Sequence, residues 1–161
     1  MSETPNFHTV ISKLLGGQRI ATLATVDDDG LPHASLVPFA LLREQASLLI
    51  HVSALAPHFG YLKRQLQAAV LVSKPEIAGE EVHALPRVSI QADIEFIDRQ
   101  SPDYTSIRDA YVQRFPEAGF MTELQDFAFV KIKPLSGRVV AGFGAARKLD
   151  QASLQAAIET S

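Results

Sequence analysis

The chain has 161 residues, 47% of them hydrophobic and 20% charged, with a net charge of −3 and no cysteine. That length predicts one domain over 1–161 with a core that needs no staples. The composition excludes disulfides, thiolate chemistry and Cys-ligated metals, and no Lys/Arg run exceeds two residues, so no nucleic-acid footprint is present.

The opening MSETPNFHTVISKLL lacks the basic-then-apolar order of a secretory signal, and no apolar run approaches the ~18 residues of a membrane helix. A cytoplasmic protein is expected. Within residues 5–16, Phe7, Val10, Ile11, Leu14 and Leu15 recur at helical spacing until Gly16-Gly17 stops the run. Two β-rich runs flank DDDG as a hairpin whose Asp29-Gly30 suits positive φ. The second run, 32–42, meets a third, 46–52, across Arg43-Glu44-Gln45, which predicts a three-stranded meander. Pro57 suits the first turn of a helix over 57–67. Residues 68–73 read as a buried strand, KPEIAGEEVHAL as a loop and 87–98 as an alternating strand. Ser101-Pro102-Asp103 opens a helix at 102–115 that ends at Phe115-Pro116. Residues 126–134 and 137–143 read as two strands across a Pro-Leu-Ser-Gly turn, and 151–159 as a short helix. Six or seven mostly antiparallel strands with three or four peripheral helices predict a mainly β (α+β) chain, folded as a small closed or nearly closed barrel.

No nucleophile-elbow, P-loop, zinc-protease or paired-cysteine motif is present. GFGAA at 142–146 has two glycines of a dinucleotide fingerprint and follows a strand, but only a short tail helix is expected after it, and no further strand completes a βαβ unit. The five histidines, His8, His33, His51, His58 and His83, include no i,i+4 pair on a helix, so no structural metal site is expected. His33 and Ser35 share a strand face that Val37 and Phe39 continue. Ser35 is either a small core or edge residue or a hydroxyl offered to a ligand. In HVSALAPHFGYLKRQL, residues 51–66, Ser53 either caps the coming helix or joins His58 and Arg64 around an anion at its N-terminus. An anion there would hold His58 cationic. Arg87, opening the longest strand, and Arg147, just after GFGAA, are either exposed or shaped to pair a phosphate.

IATLATVDDDGLPHASLVPF, then LLIHVSALAPHFGYLKRQLQAAVLV, then RVSIQADIEFID resemble the pyridoxamine 5′-phosphate oxidase-like FMN-binding split barrels. YVQRFPEAGFMTELQDFAFVKIKP and GRVVAGFGAA resemble the haem-utilisation (HugZ-type) branch of that family, and the likeness covers residues 7–149. It implies a six- to seven-stranded antiparallel split β-barrel with peripheral helices, and a homodimer with two flavin sites at the subunit interface. By that resemblance Ser35, Leu36 and Val37 would lie along FMN, and His51, Val52 and Ser53 would line its ring and phosphate end. His58 would meet the phosphate and Arg87 the flavin edge, with Arg147 a looser match. The chain departs from the family where His58-Phe59-Gly60-Tyr61-Leu62 replaces H-T-[RK]-N-L. Ser35 also replaces the arginine of true pyridoxamine phosphate oxidases, so that reaction is not expected. Members of the haem branch bind haem through a C-terminal histidine, and none follows His83 here. The expected function is an FMN-binding oxidoreductase acting on a small molecule. The alternatives are a haem-binding or haem-utilisation protein of the same fold, with its axial ligand among His33, His51, His58 and His83, and a non-catalytic FMN-binding module.

Overall fold

The computed structural model describes residues 4–161. In chain order the elements are α1 (Phe7–Gly17), β1 (Ile20–Val26), β2 (Pro32–Pro38), β3 (Ala40–Leu42), a 3₁₀ turn (Arg43–Gln45), β4 (Ser47–Ser53), α2 (Pro57–Arg64), β5 (Gln67–Ser73), β6 (Arg87–Phe96), α3 (Tyr104–Arg114), a 3₁₀ segment (Pro116–Glu123), β7 (Phe127–Gly142), β8 (Ala145–Leu149) and α4 (Gln151–Glu159). The strands form one antiparallel sheet in the order β2-β1-β5-β6-β7-β4-β3, with β8 added on β7. The sheet curls until β2 returns beside β4, which makes the split barrel. Among the described residues no helix is long and apolar enough to cross a membrane.

Two-residue alternation decides what fills the barrel. Val88, Ile90, Ala92 and Ile94 of β6 face inward and meet Leu23, Val70, Ile50 and Ile132 from other strands. α1 and α4 close the core by packing Ile11, Leu14 and Leu15 beside Leu154, Ala157 and Ile158. Both helices begin at side-chain caps: Asn6 accepts from Thr9 N at 3.1 Å and Asp150 from Ser153 N at 2.8 Å. A second cluster forms on the outer face of β3, β4 and β7, where Leu49 and Phe129 are covered by Ile107, Tyr111 and Phe115.

Three expectations are corrected. The run 32–42 is not one strand of a meander. It breaks at Phe39, whose N–H bonds the Arg19 carbonyl at 3.0 Å and whose ring is buried. Its halves pair with different partners, β2 with β1 and β3 with β4, at opposite ends of the sheet order. The Pro-Leu-Ser-Gly segment is not a turn, because β7 continues through it. Pro134 pairs with Ala92 and Ser136 with Gln91, so Leu135 is the extra residue of a β-bulge, a place where a strand tolerates proline. GFGAA leads not into a helix but into β8, with Gly144 at φ 71° making the hairpin turn.

Beyond the bulge, Gly137 lies against β6. A Cβ there would meet the Ser89 carbonyl oxygen closer than any carbon–oxygen contact allows, with Leu154 behind it. Backbone cannot step aside as a flexible side chain does. Gly137→Ala should therefore destabilise the fold by about 1–3 kcal/mol, read as a lower urea midpoint at unchanged m-value. An unchanged midpoint would show that the β6–β7 spacing is slack.

Candidate functional site

β2 turns His33, Ser35 and Val37 inward and leaves Ala34, Leu36 and Pro38 outside. α2 comes down onto this edge. Its entry is shaped by Ser53, whose hydroxyl accepts from Leu55 N at 3.1 Å and whose carbonyl accepts from Ala56 N at 3.0 Å. Ser53 therefore holds the turn, and the N-cap itself is Ala56, which offers no side-chain bond to the helix. Pro57 begins the helix and buried Leu62 anchors it to the core. That register places His58 over β2.

Ser35 Oγ lies 3.2 Å from His58 Nδ1 and 3.4 Å from His33 Nδ1. Tyr61, one turn after His58, meets the His33 ring edge-on with centroids 5.1 Å apart. One hydroxyl thus bridges two half-buried imidazoles. Burial first, and then the charge of His33, holds the His58 imidazole below its ordinary value. Such a cluster can ligate a metal through imidazole lone pairs or pass a proton along the hydroxyl. Sequence spacing paired His33 with Ser35, but Tyr61 was missed, although its i+3 relation to His58 was there to be read.

The remaining candidates stand elsewhere. Val37 and Val52 are core residues of the barrel, and Leu36 faces out at 67% exposure. Arg64 sits at the far end of α2, where it bonds the carbonyls of Val26 and Asp27 and pairs with Asp28 at 3.2 Å. It braces the β1–β2 turn, and Ser53, His58 and Arg64 do not converge. Arg87, three strands from β2 in the sheet order, donates to the Leu85 carbonyl at 2.9 Å and so holds the loop before β6. Arg147 lies over the Phe7 ring at 4.5 Å. His83 is paired with Glu81 on an exposed loop, and His8 with Thr160. Among the described residues no three His, Cys, Asp or Glu side chains gather as a metal site.

His51 is a case apart. It projects from the outer face of β4, between Phe127 and Phe129 at 4.9 and 4.4 Å and beside Tyr111 at 5.6 Å. Both ring nitrogens are buried with no hydrogen-bond partner. Burial, and then the charge of Arg99, pushes its pKa down to about 4.

The model of the family described as pyridoxamine 5′-phosphate oxidase matches residues 7–141. Over 125 residues the chain is 29% identical to haem oxygenase HutZ of Vibrio cholerae, covering 77% of this chain and 70% of that one. The crystal structure of HutZ, described as the haem storage protein from Vibrio cholerae, superposes with a TM-score of 0.70 at 25% identity over 77% of this chain and 87% of that one. A haem binding protein from Mycobacterium smegmatis superposes with a TM-score of 0.84 at 22% identity, a likeness of fold. It covers 96% of this chain, which spans only 62% of that longer one.

The orphaned His51 has a measurable consequence. With its folded pKa near 4 and its unfolded pKa near 6.5, the unfolded chain binds the extra proton first as pH falls. Its contribution to stability is complete above about pH 6.5 and is lost down to about pH 4, a loss on the order of 3 kcal/mol at most. His51→Phe should keep the aromatic packing and remove this part of the acid limb. Urea unfolding at pH 7 and pH 4.5 checks it, and an identical pH dependence in both proteins would refute the assignment.

Proposed function

From the pyridoxamine 5′-phosphate oxidase family, to whose haem-utilisation branch this chain belongs, we propose that the protein binds haem where α2 meets β2, with His58 as axial ligand. The observation that carries this reading is the contact of His58 Nδ1 with the Ser35 hydroxyl at 3.2 Å, in a half-buried position whose burial disfavours the imidazolium. A metal takes the neutral imidazole, and a second-shell acceptor on the other ring nitrogen sets the tautomer. Ser35 Oγ has two lone pairs, enough to accept from both Nδ1–H groups. In that arrangement the Nε2 lone pairs of His58 and His33 are free, and Tyr61 keeps the His33 ring in place. Haem would supply an iron that takes a neutral imidazole, which His58, backed by Ser35, would hold.

FMN is the second reading, favoured by the α2 N-terminus, whose N–H groups receive no side-chain cap. Against it, Arg64, Arg87 and Arg147 each stand away from His58 within one chain. A flavin touching Leu36, His51, Arg87 and Arg147 as well as Ser35 would have to lie between two subunits. Flavin retained without turnover by reduced nicotinamide would indicate the non-catalytic module.

Haem titration of cofactor-free protein should give a saturable Soret band. His58→Ala should weaken binding by about tenfold or more, His33→Ala by less, and His83→Ala not at all. A Soret band indifferent to His58→Ala would refute the axial assignment. Protein that retains FMN through gel filtration and ignores haem would restore the flavin reading.

We also propose a homodimer across the outer face of β2, β1 and β5, with the cofactor sites at the subunit interface. Ile20, Leu36 and Leu71 are exposed there by 51%, 67% and 40%, and cross-strand pairing through Thr22 sets Leu36 and Leu71 in one row. Beside them Ala24, Ala69 and Leu135 line a hollow of about 460 Å³. An apolar sheet face of this kind marks an interaction surface. Leu36→Asp should convert a dimer to a monomer in analytical ultracentrifugation and lower haem affinity. A variant that sediments as the wild type does would move the interface elsewhere.

A further inference from the structure

Among the described residues, the two ring nitrogens of His51 are the buried side-chain polar atoms left without a hydrogen-bond partner. What lies over them is not part of the sheet. β6 ends at Phe96 and β7 begins at Phe127, and between them α3 and the 3₁₀ segment run across the outer face of β3, β4 and β7. We propose that residues 98–125 form a cover that lifts off this face as a unit when His51 takes up a proton, while the barrel stays folded.

The backbone permits this. The last sheet bond before the cover runs from Ile97 N to the Phe129 carbonyl at 2.9 Å, and the first after it runs from Ala54 N to the Asp126 carbonyl at 2.6 Å. Between them the backbone bonds stay inside the segment, as from Ile107 N to Asp103 and from Phe115 N to Tyr111. Side chains hold the cover down. Ile107, Tyr111 and Phe115 pack on Leu42, Leu49 and Phe129, and Arg114 donates to the Gln18 carbonyl at 2.7 Å. The exposed Arg19–Glu117 pair adds little. This apolar cluster lies across the sheet from the barrel core, so losing it leaves Leu23, Ile50 and Ile90 packed as they are.

No group facing His51 welcomes a cation. From β7 come the rings of Phe127 and Phe129, and from β3 the apolar Ala40 and Leu42. From α3 comes Tyr111, whose hydroxyl burial pushes up to about 12 and so keeps neutral. The loop after β6 brings Arg99, a like charge. The 3₁₀ segment brings Glu117, which acts on Tyr111 and is paired with Arg19 at 3.1 Å. Aromatic faces attract an imidazolium, but they leave its two N–H groups without a strong acceptor. Lifting the cover gives those groups water. As pH falls from about 6.5 towards about 4, the open form therefore binds the proton first, and the closure that is complete above that window is lost through it.

Amide hydrogen exchange of the full chain at pH 7 and pH 4.5, corrected for the intrinsic pH dependence of exchange, tests this. The opening constant of α3 and the 3₁₀ segment should rise by about tenfold or more on acidification, while amides of β6 and β7 keep their protection. His51→Phe retains a ring in the aromatic cluster and should abolish the rise. Unchanged protection of α3 at pH 4.5 overturns the cover, and so does loss of β6 protection in step with α3, which is global unfolding. A folded His51→Phe that responds as the wild type does overturns His51 as the trigger. If that variant does not fold, the wild-type His51 ring is titrated by NMR. Its midpoint should coincide with the opening of α3, and a midpoint that does not coincide overturns the proposal.

Discussion

β7 spans Phe127–Gly142, and sixteen residues of straight strand would reach about 53 Å. A chain of this length has a radius of gyration of about 15 Å, so a straight β7 would project through the surface. It must bend, and the extra residue at Leu135 is where it does so. On one side of the bend β7 pairs with β4, on the other with β8, and along its length with β6. The two hairpins that the chain makes early, β1–β2 and β3–β4, are joined into one sheet only through this bent strand and β5–β6. The close approach at Gly137 follows from the same bend, because the strand leaves the bulge directly against the Ser89 carbonyl.

That geometry also decides which residues can meet. β4 lies between two cores, with Leu48, Ile50 and Val52 inside the barrel and Leu49 and His51 under α3. His51 and Val52 are neighbours in sequence and on opposite sides of the sheet. Ser35 belongs to the inner face of β2, so His51 cannot join it within one chain. The histidine cluster forms instead at the seam where the sheet fails to close, because β2 is an edge strand and α2 is the element that covers it. A site at an open seam is accessible, and among the described residues no element covers the apolar outer face beside it.

Much of this was legible in the residues. Alternation in Arg87–Phe96 and helical spacing in Phe7–Gly17 are strong periodic signals that tertiary contacts had no reason to override. The Asp29-Gly30 turn was legible for the same local reason. What failed was non-local. Pro134 reads as a turn residue, and only the partner strand reveals that it sits beside a bulge. The break at Phe39 depends on a bond to Arg19 that no local pattern encodes. Arg64 looked like a ligand-binding cation on the strength of its spacing from His58, yet six residues of helix set it about 9 Å further along the axis, where the carbonyls of Val26 and Asp27 and the carboxylate of Asp28 take it. Short-range pattern identifies elements well. It places side chains at a site only when both residues lie on the same element, as with His33 and Ser35.

An iron and a phosphate ask opposite things of an imidazole. A phosphate is best met by the cation, and a pocket built for it supplies neighbouring charge of the opposite sign or an arginine to share the load. An iron takes the neutral ring, and its pocket needs a partner on the far nitrogen to fix the tautomer. At His58 both pressures are of the second kind: burial disfavours the cation, and His33, the nearest basic neighbour, disfavours it further. Position 35 supplies the missing partner. An arginine there, as in the oxidases this chain resembles, would add a cation beside two imidazoles and favour an anionic ligand. Serine adds none and leaves a hydroxyl that both Nδ1 atoms can share. A serine at this inward-facing edge position therefore fits the haem reading proposed above better than the phosphate one.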